Sequence, residues 1–312
     1  MAVGPRSREA PSGDFAPIYI GRFAPSPTGS LHLGSLLAAL GSFLEARRHG
    51  GRWLVRMEDL DTPRVVPGSA AAMLRSLEAF GLSWDGAIEY QSRRTELYAE
   101  ALVSLRASGS TFECSCSRRE LGSEESGYPG TCRAGPVHPG PTAARFRVDA
   151  AETLGFEDRF QGPITCAMGS LGDVVVRRRD GVFSYQLAVV VDDALQGVTE
   201  VVRGSDLLES TGWQIALQRA LGLPTPRHAH LPVLLEPSGE KLAKSRRSVP
   251  LEPGRAGEQL LAVLRLLRQS PPPEIEGAPA SEVLGWALAH WRPGTFYLTR
   301  EVILEPDEVG GG

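Results

Sequence analysis

The spacing of apolar residues changes period several times along the chain, and each change predicts an element. Ile18-Tyr19-Ile20-Gly21-Arg22-Phe23 is a short apolar run that reads as a buried strand. Leu33, Leu36, Leu37, Leu40, Phe43 and Leu44 then recur at helical spacing until Gly50-Gly51 stops the run. Trp53, Val55 and Met57 alternate, as strand residues do. Strand, helix and strand in quick succession is the pattern of a parallel βαβ crossover.

Leu74, Leu77 and Phe80 predict a helix over 67–80, and Leu97, Ala101, Leu102 and Leu105 predict another over 92–108, with Trp84 and Tyr90 between them as packing residues. Gly135 to Pro141 is a Pro/Gly-rich connector. Phe146-Arg147-Val148 and Val174-Val175-Val176 read as strands, the second followed by an Asp180-Gly181 hairpin turn. Val182 through Leu187 and on to Val201-Val202-Arg203-Gly204 is apolar and β-rich, as if the chain rejoined the parallel sheet, and Ser205 begins a helix. His228 to Leu235 is strand-like, and helices over 258–269 and 281–291 flank Pro271-Pro272-Pro273. Residues 1–17, rich in Pro, Gly, Ser and charge, read as a disordered tail. There is no internal repeat.

With 312 residues and 42% hydrophobic content the chain can bury a sizeable core, in one large domain with an insertion or in two domains. No apolar run is long enough to span a bilayer and the first 17 residues hold no hydrophobic signal core, so neither membrane insertion nor secretion is expected. A formal charge of −4 argues against a protein that coats nucleic acid, while leaving room for a local basic face. Four cysteines, two of them in Cys114-Ser115-Cys116, look like ligands in a reducing compartment more than a disulfide framework, which points to the cytoplasm.

Several stretches carry chemistry. His32 sits where a helix follows a strand, a place whose free N–H groups and positive dipole end suit phosphate, and Gly34 lets a flat base approach the backbone. Glu58-Asp59-Leu60-Asp61 lies at the carboxyl end of the second strand, where ligands gather in open α/β sheets; a carboxylate there suits an ammonium, the plainer reading being a solvated acidic loop. Cys114, Cys116 and Cys132 supply three thiols within 19 residues, enough for three legs of a tetrahedral zinc site, the plainer reading being three buried free cysteines. Asp, His138 or water could complete the site, and Cys166 is left as packing. Arg177-Arg178-Arg179 is either a solvated hairpin face or a contact for RNA phosphates. By type alone Tyr185 is a buried tyrosine with a satisfied hydroxyl and Arg203 a surface arginine. Lys241-Leu242-Ala243-Lys244-Ser245 follows the Pro237-Ser238-Gly239 turn and places two lysines in a loop that can swing onto phosphates.

The string Arg22-Phe23-Ala24-Pro25-Ser26-Pro27-Thr28-Gly29-Ser30-Leu31-His32-Leu33-Gly34-Ser35, followed by Arg56-Met57-Glu58-Asp59-Leu60-Asp61-Thr62-Pro63-Arg64, closely resembles the glutamyl branch of the class I aminoacyl-tRNA synthetases. His32-Leu33-Gly34-Ser35 stands where that class carries His-x-Gly-His, with Ser35 in place of the second histidine. The Lys241 to Ser245 segment stands where it carries Lys-Met-Ser-Lys-Ser, with Ala243 in place of the first serine. The resemblance implies that His32 and Lys244 are catalytic and that His32, Gly34, Ser35, Lys241 and Lys244 bind ATP with its Mg²⁺. It implies L-glutamate binding by Arg22, Phe23, Ala24, Pro25, Ser26, Glu58, Tyr185 and Arg203. It also makes Tyr128 the fourth ligand of one structural Zn²⁺ beside Cys114, Cys116 and Cys132.

The implied fold is α/β, a Rossmann-like parallel sheet of the class I catalytic domain. Its first part covers residues 18–105 and its second 181–255, around a zinc-containing connective insertion at 106–180, with a short helical segment at 256–312. The likeness runs over about residues 18–250; with 67 residues after Ser245, no anticodon-binding domain is expected. That pattern resembles the short members of the branch, which implies a monomer that activates glutamate without tRNA. Its acceptor is then queuosine in the anticodon stem-loop of tRNA(Asp). Two other readings stand beside this one: a truncated synthetase charging the 3′ end of a tRNA, and a non-catalytic zinc-bearing RNA-binding relative. Intact His32, Lys244, Glu58 and Arg203 speak against the second.

Overall fold

A computed structural model of the chain describes residues 18–121, 127–240 and 250–304. The expected crossover is there. Strand β1 (Ile20–Phe23), helix α1 (Leu33–Arg48) and strand β2 (Arg52–Met57) follow one another, with β1 and β2 parallel and Gly21 opposite Trp53. Helix α1 starts where His32 and Ser35 cap each other: the His32 ring accepts the Ser35 N–H at 3.3 Å and the Ser35 hydroxyl accepts the His32 N–H at 2.9 Å. The helix is buried on several faces, through Leu36, Leu40, Phe43 and Leu44, as suits an element in the middle of a domain. Gly41 allows its close approach to the sheet, because a Cβ there would come within 2.6 Å of the Leu231 side chain. The helix's one acid, Glu45, is fully buried and held by Arg159 at 2.7 Å and the Trp291 indole N–H at 2.6 Å, so its charge is paired.

The chain continues through α2 (Ser69–Ala79), β3 (Glu89–Tyr90), α3 (Thr95–Ala107), β4 (Thr111–Cys114), α4 (Arg118–Leu121), β5 (Ala143–Phe146), β6 (Thr153–Asp158), β7 (Gly162–Ala167), α5 (Met168–Leu171) and β8 (Val174–Arg177). Then come α6 (Tyr185–Leu195), β9 (Glu200–Gly204), α7 (Ser210–Leu221), β10 (Arg227–Leu231), β11 (Val233–Leu235), α8 (Ala256–Leu266), α9 (Ala280–His290) and β12 (Glu301–Ile303). Strands run in the order β3-β2-β1 and β9-β10-β6-β7, parallel except for β7. The two groups meet start to start, where the Thr199 N–H donates to the Ile20 carbonyl at 2.9 Å. A separate antiparallel sheet, β4-β5-β8, lies in the stretch expected to be the insertion. The hairpin β6–β7 from that same stretch does not stay with it. It extends the parallel sheet, with Asp158 opposite His228.

One core packs α1, α2, α8 and α9 against β1 and β2, and a second packs α3, α6 and α7 with β5 to β8. The run from Val182, read as β-rich, needs correcting: residues 185–195 form helix α6, and only Glu200–Gly204 rejoins the sheet. Val189, Val190 and Val191 favour strands as residue types, but their burial in the second core decides the matter, since packing overrides so small a preference. The helix expected from Ser205 begins as a single 3₁₀ turn and continues as α7. No helix of the described residues is long and apolar enough to cross a membrane.

Candidate active site and thiol cluster

A cavity of about 550 Å³ opens at the carboxyl ends of β1, β2 and β9. Arg22, Phe23, Ala24, Ser26, Glu58, Tyr185 and Arg203 all line it. Pro25 is not in the lining; its carbonyl accepts the Glu58 N–H at 3.0 Å and so fixes where that residue leaves β2. His32, Gly34 and Ser35 stand outside the lining, at the start of α1. Because the Nδ1 atom of His32 accepts from Ser35, its ring proton lies on Nε2, and burial lowers its pKa and keeps it neutral. Gly34 has a local reason for lacking a Cβ: one would come within 3.1 Å of the His32 ring. Lys241 and Lys244 lie outside the described residues. On the far side of that stretch, Pro250 pairs with His32 and the Leu251 N–H donates to the Leu31 carbonyl at 2.9 Å.

The floor of the cavity is ionic. Arg22 donates to Asp193 at 3.2 Å, and Arg56, fully buried, donates to Asp193 at 2.7 Å and to Glu58 at 3.4 Å. The neighbouring Asp192 accepts from Arg94 at 2.7 Å, Tyr98 at 2.7 Å and Gln91 at 2.9 Å. Burial opposes the charge on Asp193, but Arg22 and Arg56 outweigh it and hold the carboxyl below its usual range. At Glu58 the balance goes the other way: burial raises its pKa despite Arg56 and Arg22. With the Asp193 charge close by as well, its charged form is incompletely compensated.

Arg203 is built differently. Its Nε donates to His230 Nε2 at 3.1 Å, Nη1 to the Tyr185 hydroxyl at 3.1 Å and Gln214 at 2.8 Å, and Nη2 to Thr211 at 2.8 Å and the Leu207 carbonyl at 3.2 Å. All five acceptors are uncharged, since burial lowers the pKa of His230 and keeps that ring neutral. The guanidinium is thus fixed in place without being neutralised. Because the Tyr185 oxygen accepts from Arg203, its own proton is left to point elsewhere.

A second cluster lies beside β4. The sulfurs of Cys114, Cys116 and Cys132, all buried, are within 4.8 Å of one another. The Tyr128 oxygen is 3.5 Å from the Cys114 sulfur and 3.7 Å from that of Cys116, and it accepts the Cys132 N–H at 2.7 Å. Tetrahedral zinc with bonds of about 2.3 Å needs ligand atoms roughly 3.8 Å apart, so these four fit a metal. Burial pushes the Cys116 thiol up to about 11. Burial acts likewise on Cys132, but the Ser115 N–H, the Tyr128 hydroxyl and the Val137 N–H bring it down to about 6. The Arg145 guanidinium stacks 4.0 Å from the centre of the Tyr128 ring, while burial and the contact with Cys114 push the Tyr128 hydroxyl well above its usual range, so its loss of a proton would come with the metal. His138 is turned away, its ring on Glu120 at 2.6 Å. The arginine triplet is committed within the chain: Arg178 bridges Asp61 at 3.0 Å and Asp180 at 2.6 Å on the cavity rim, and Arg179 donates to the Cys116 carbonyl.

Residues 20–252 match the family model of class I tRNA synthetases (E and Q), catalytic domain. The chain belongs to that family. A Glutamyl-Q tRNA(Asp) synthetase of Ectopseudomonas mendocina (strain ymp) is 53% identical to it over 275 residues, covering 88% of this chain and 93% of the relative. One from Aromatoleum aromaticum is 52% identical over 288 residues, covering 89% and 90%. A crystal structure of a glutamate tRNA ligase from Elizabethkingia meningosepticum with its amino acid superposes with a TM-score of 0.75. That match covers 93% of this chain and 68% of the other at 23% identity, a likeness of fold.

Sequence reasoning about this class I synthetase missed Arg56, Asp192 and Asp193 beneath the cavity, and Asp158, Thr211, Gln214 and His230 around Arg203. One signal was available. Asp192-Asp193 closes the apolar run Leu187 to Val191, and acids so placed must be paired if the run is buried. No local signal marks the side-chain partners of Arg203, which come from α6, α7 and β10.

Proposed function

We propose that this synthetase activates L-glutamate with ATP-Mg²⁺, without tRNA, and transfers it to queuosine in the anticodon of tRNA(Asp). The observation that carries the amino-acid half is one cavity holding both an un-neutralised guanidinium, Arg203, and an incompletely compensated carboxylate, Glu58. An amino acid with a second carboxylate supplies an ammonium for Glu58 and an anion for the Arg203 and Tyr185 side, with Arg22 and the turn from Phe23 to Ser26 completing the pocket. A glutamate carboxylate oxygen attacks the α-phosphorus of ATP, pyrophosphate leaves, and glutamyl-adenylate remains. His32, with its free Nε2–H, and Lys241 and Lys244 act on phosphate as its charge shifts, while Gly34 and Ser35 shape the nucleotide side. In the second step a hydroxyl on the cyclopentene ring of queuosine attacks the activated carbonyl and AMP departs, leaving an ester. The transfer half is supported by the relatives at over 50% identity, whose names carry that acceptor.

Cys114, Cys116, Cys132 and Tyr128 would hold one Zn²⁺, which supplies cross-linking of the loop between β4 and β5 and no step of the reaction. Metal analysis should find one zinc per chain. Tyr128→Phe should weaken its retention against a chelator while His138→Ala leaves it alone; the reverse pattern would exclude Tyr128 as ligand. The function is tested with labelled glutamate and three acceptors: tRNA(Asp) carrying queuosine, tRNA(Asp) lacking it, and tRNA(Glu). Label is expected on the first alone, and glutamate-dependent pyrophosphate exchange without any tRNA. Label mainly on the 3′ adenosine of tRNA(Glu) would instead identify a truncated charging enzyme.

A further inference from the structure

Arg203 is held in the cavity wall by a chain of contacts that begins far from it, in β6. The Asp158 carboxylate is buried and ionised, kept down to about 2 because His230 and backbone N–H groups outweigh the cost of burial. Its Oδ2 pairs with His230 Nδ1 at 2.5 Å, and His230 Nε2 in turn accepts from Arg203 Nε at 3.1 Å. An ionised carboxylate is only an acceptor, so the His230 proton must sit on Nδ1 and Nε2 must carry the lone pair. We propose that Asp158 and His230 are positioning residues for glutamate recognition. Asp158 fixes the tautomer of His230, and that tautomer supplies the acceptor that aims Arg203 and, through it, Tyr185. The inference rests on the reading of Arg203 and Tyr185 as part of the glutamate pocket.

A rival explanation is purely structural. Asp158 Oδ1 also accepts the N–H groups of Phe160 at 3.0 Å, Gln161 at 2.9 Å and His230 at 3.0 Å, which tie the β6–β7 turn to β10. Asp158→Asn separates the two roles. Its amide oxygen can keep all three backbone contacts, while its amide nitrogen takes the place of Oδ2 and donates to His230 Nδ1. The ring proton is then forced onto Nε2, where it meets the Arg203 Nε–H, donor against donor.

The experiment is glutamate-dependent pyrophosphate exchange with the full chain, run as a double-mutant cycle, together with nitrogen-15 NMR of the histidine rings. Asp158→Asn should move the His230 proton from Nδ1 to Nε2. It should raise the KM for glutamate about tenfold, the size expected for one hydrogen bond to a charged group, with the KM for ATP unmoved. In His230→Gln the side-chain amide oxygen can accept from Arg203 whatever stands at 158, so adding Asp158→Asn there should cost almost nothing more. Equal penalties for Asp158→Asn in the two backgrounds would make the carboxylate structural and overturn the proposal. A flipped tautomer with an unchanged KM would overturn it too. Arg203→Ala is the control for the pocket itself. If it leaves the glutamate KM unmoved, the pocket reading fails and takes the inference with it; if it raises the KM while the cycle shows no coupling, only the inference falls.

Discussion

The cavity has two walls built from arginine, and they treat its charge in opposite ways. On the β1 and β2 side, Arg22 and Arg56 give most of their hydrogen bonds to carboxylates, chiefly Asp193, with one from Arg56 to the Gln196 amide oxygen at 2.7 Å, so positive and negative cancel beneath the floor. On the β9 side, Arg203 gives all five N–H groups to uncharged acceptors. Both arrangements pair most of these donors, as burial demands, although the Arg56 Nε–H makes no hydrogen bond and only lies 3.8 Å from Asp192. Only the second leaves a positive charge for an incoming anion: the arginine charges of the first wall serve as scaffold beneath Glu58, and that of the other remains available to a ligand. What separates them is the identity of the acceptors, not the arginine.

The largest effect should come from breaking the scaffold wall. Asp193→Asn leaves two buried guanidinium groups without their shared counter-charge and should cost about 3–5 kcal/mol of stability, read as a loss in the denaturation midpoint. Because this carboxyl sits below its usual range, its contribution is present at neutral pH and disappears as pH falls through its folded value; the variant should lack that part of the acid dependence. A variant as stable as the parent would mean that the floor is not held by this pair.

Next in size is the ligand wall. Arg203→Lys keeps the charge but brings three donors to a site shaped for five, so the KM for glutamate should rise about a hundredfold, with a smaller change in stability. If lysine serves as well as arginine, the fork geometry is irrelevant and charge alone explains recognition.

Glu58 tests the comparison from the opposite sign. Its pKa is raised, so the protonated form is the one favoured by folding, and any stability it lends is lost as pH rises through its folded value. Glu58→Gln should therefore be no less stable than the parent at neutral pH, while glutamate binding weakens by about tenfold or more through the lost ammonium partner. A melt below that of the parent would show Glu58 to be part of the scaffold. The smallest effect belongs to the rim: Arg178→Ala removes half-exposed ion pairs to Asp61 and Asp180 and should change stability by no more than about 1 kcal/mol. Scanning these four variants in one buffer would rank the walls directly.

Much of this is legible in the sequence, where the signal is local. The β1-α1-β2 unit, its Gly-Gly stop, the phosphate-suited start at His32 and the three-thiol spacing each lie within a short window, and each was read from period or spacing. The reading failed at 185–195 for a definite reason. Three consecutive valines look like strand to a rule that sees only residue type, and become helix because α3, α7 and β8 bury them. Arg22 to Ser26, Glu58, Tyr185 and Arg203 entered through family resemblance, and the fold brings them to one cavity or, for Pro25, against Glu58.

By itself the sequence determined the β1-α1-β2 unit, which residues are acids, bases and thiols, and how closely the thiols are spaced, because those are properties of neighbours along the chain. Tertiary structure alone decided which charges are cancelled and which are left available. Arg22 meets an aspartate 171 positions away, and the histidine behind Arg203 takes its tautomer from a carboxylate 72 positions before it. Electrostatic environment is set by distance in space and by exclusion of water, and neither is a function of position in the chain.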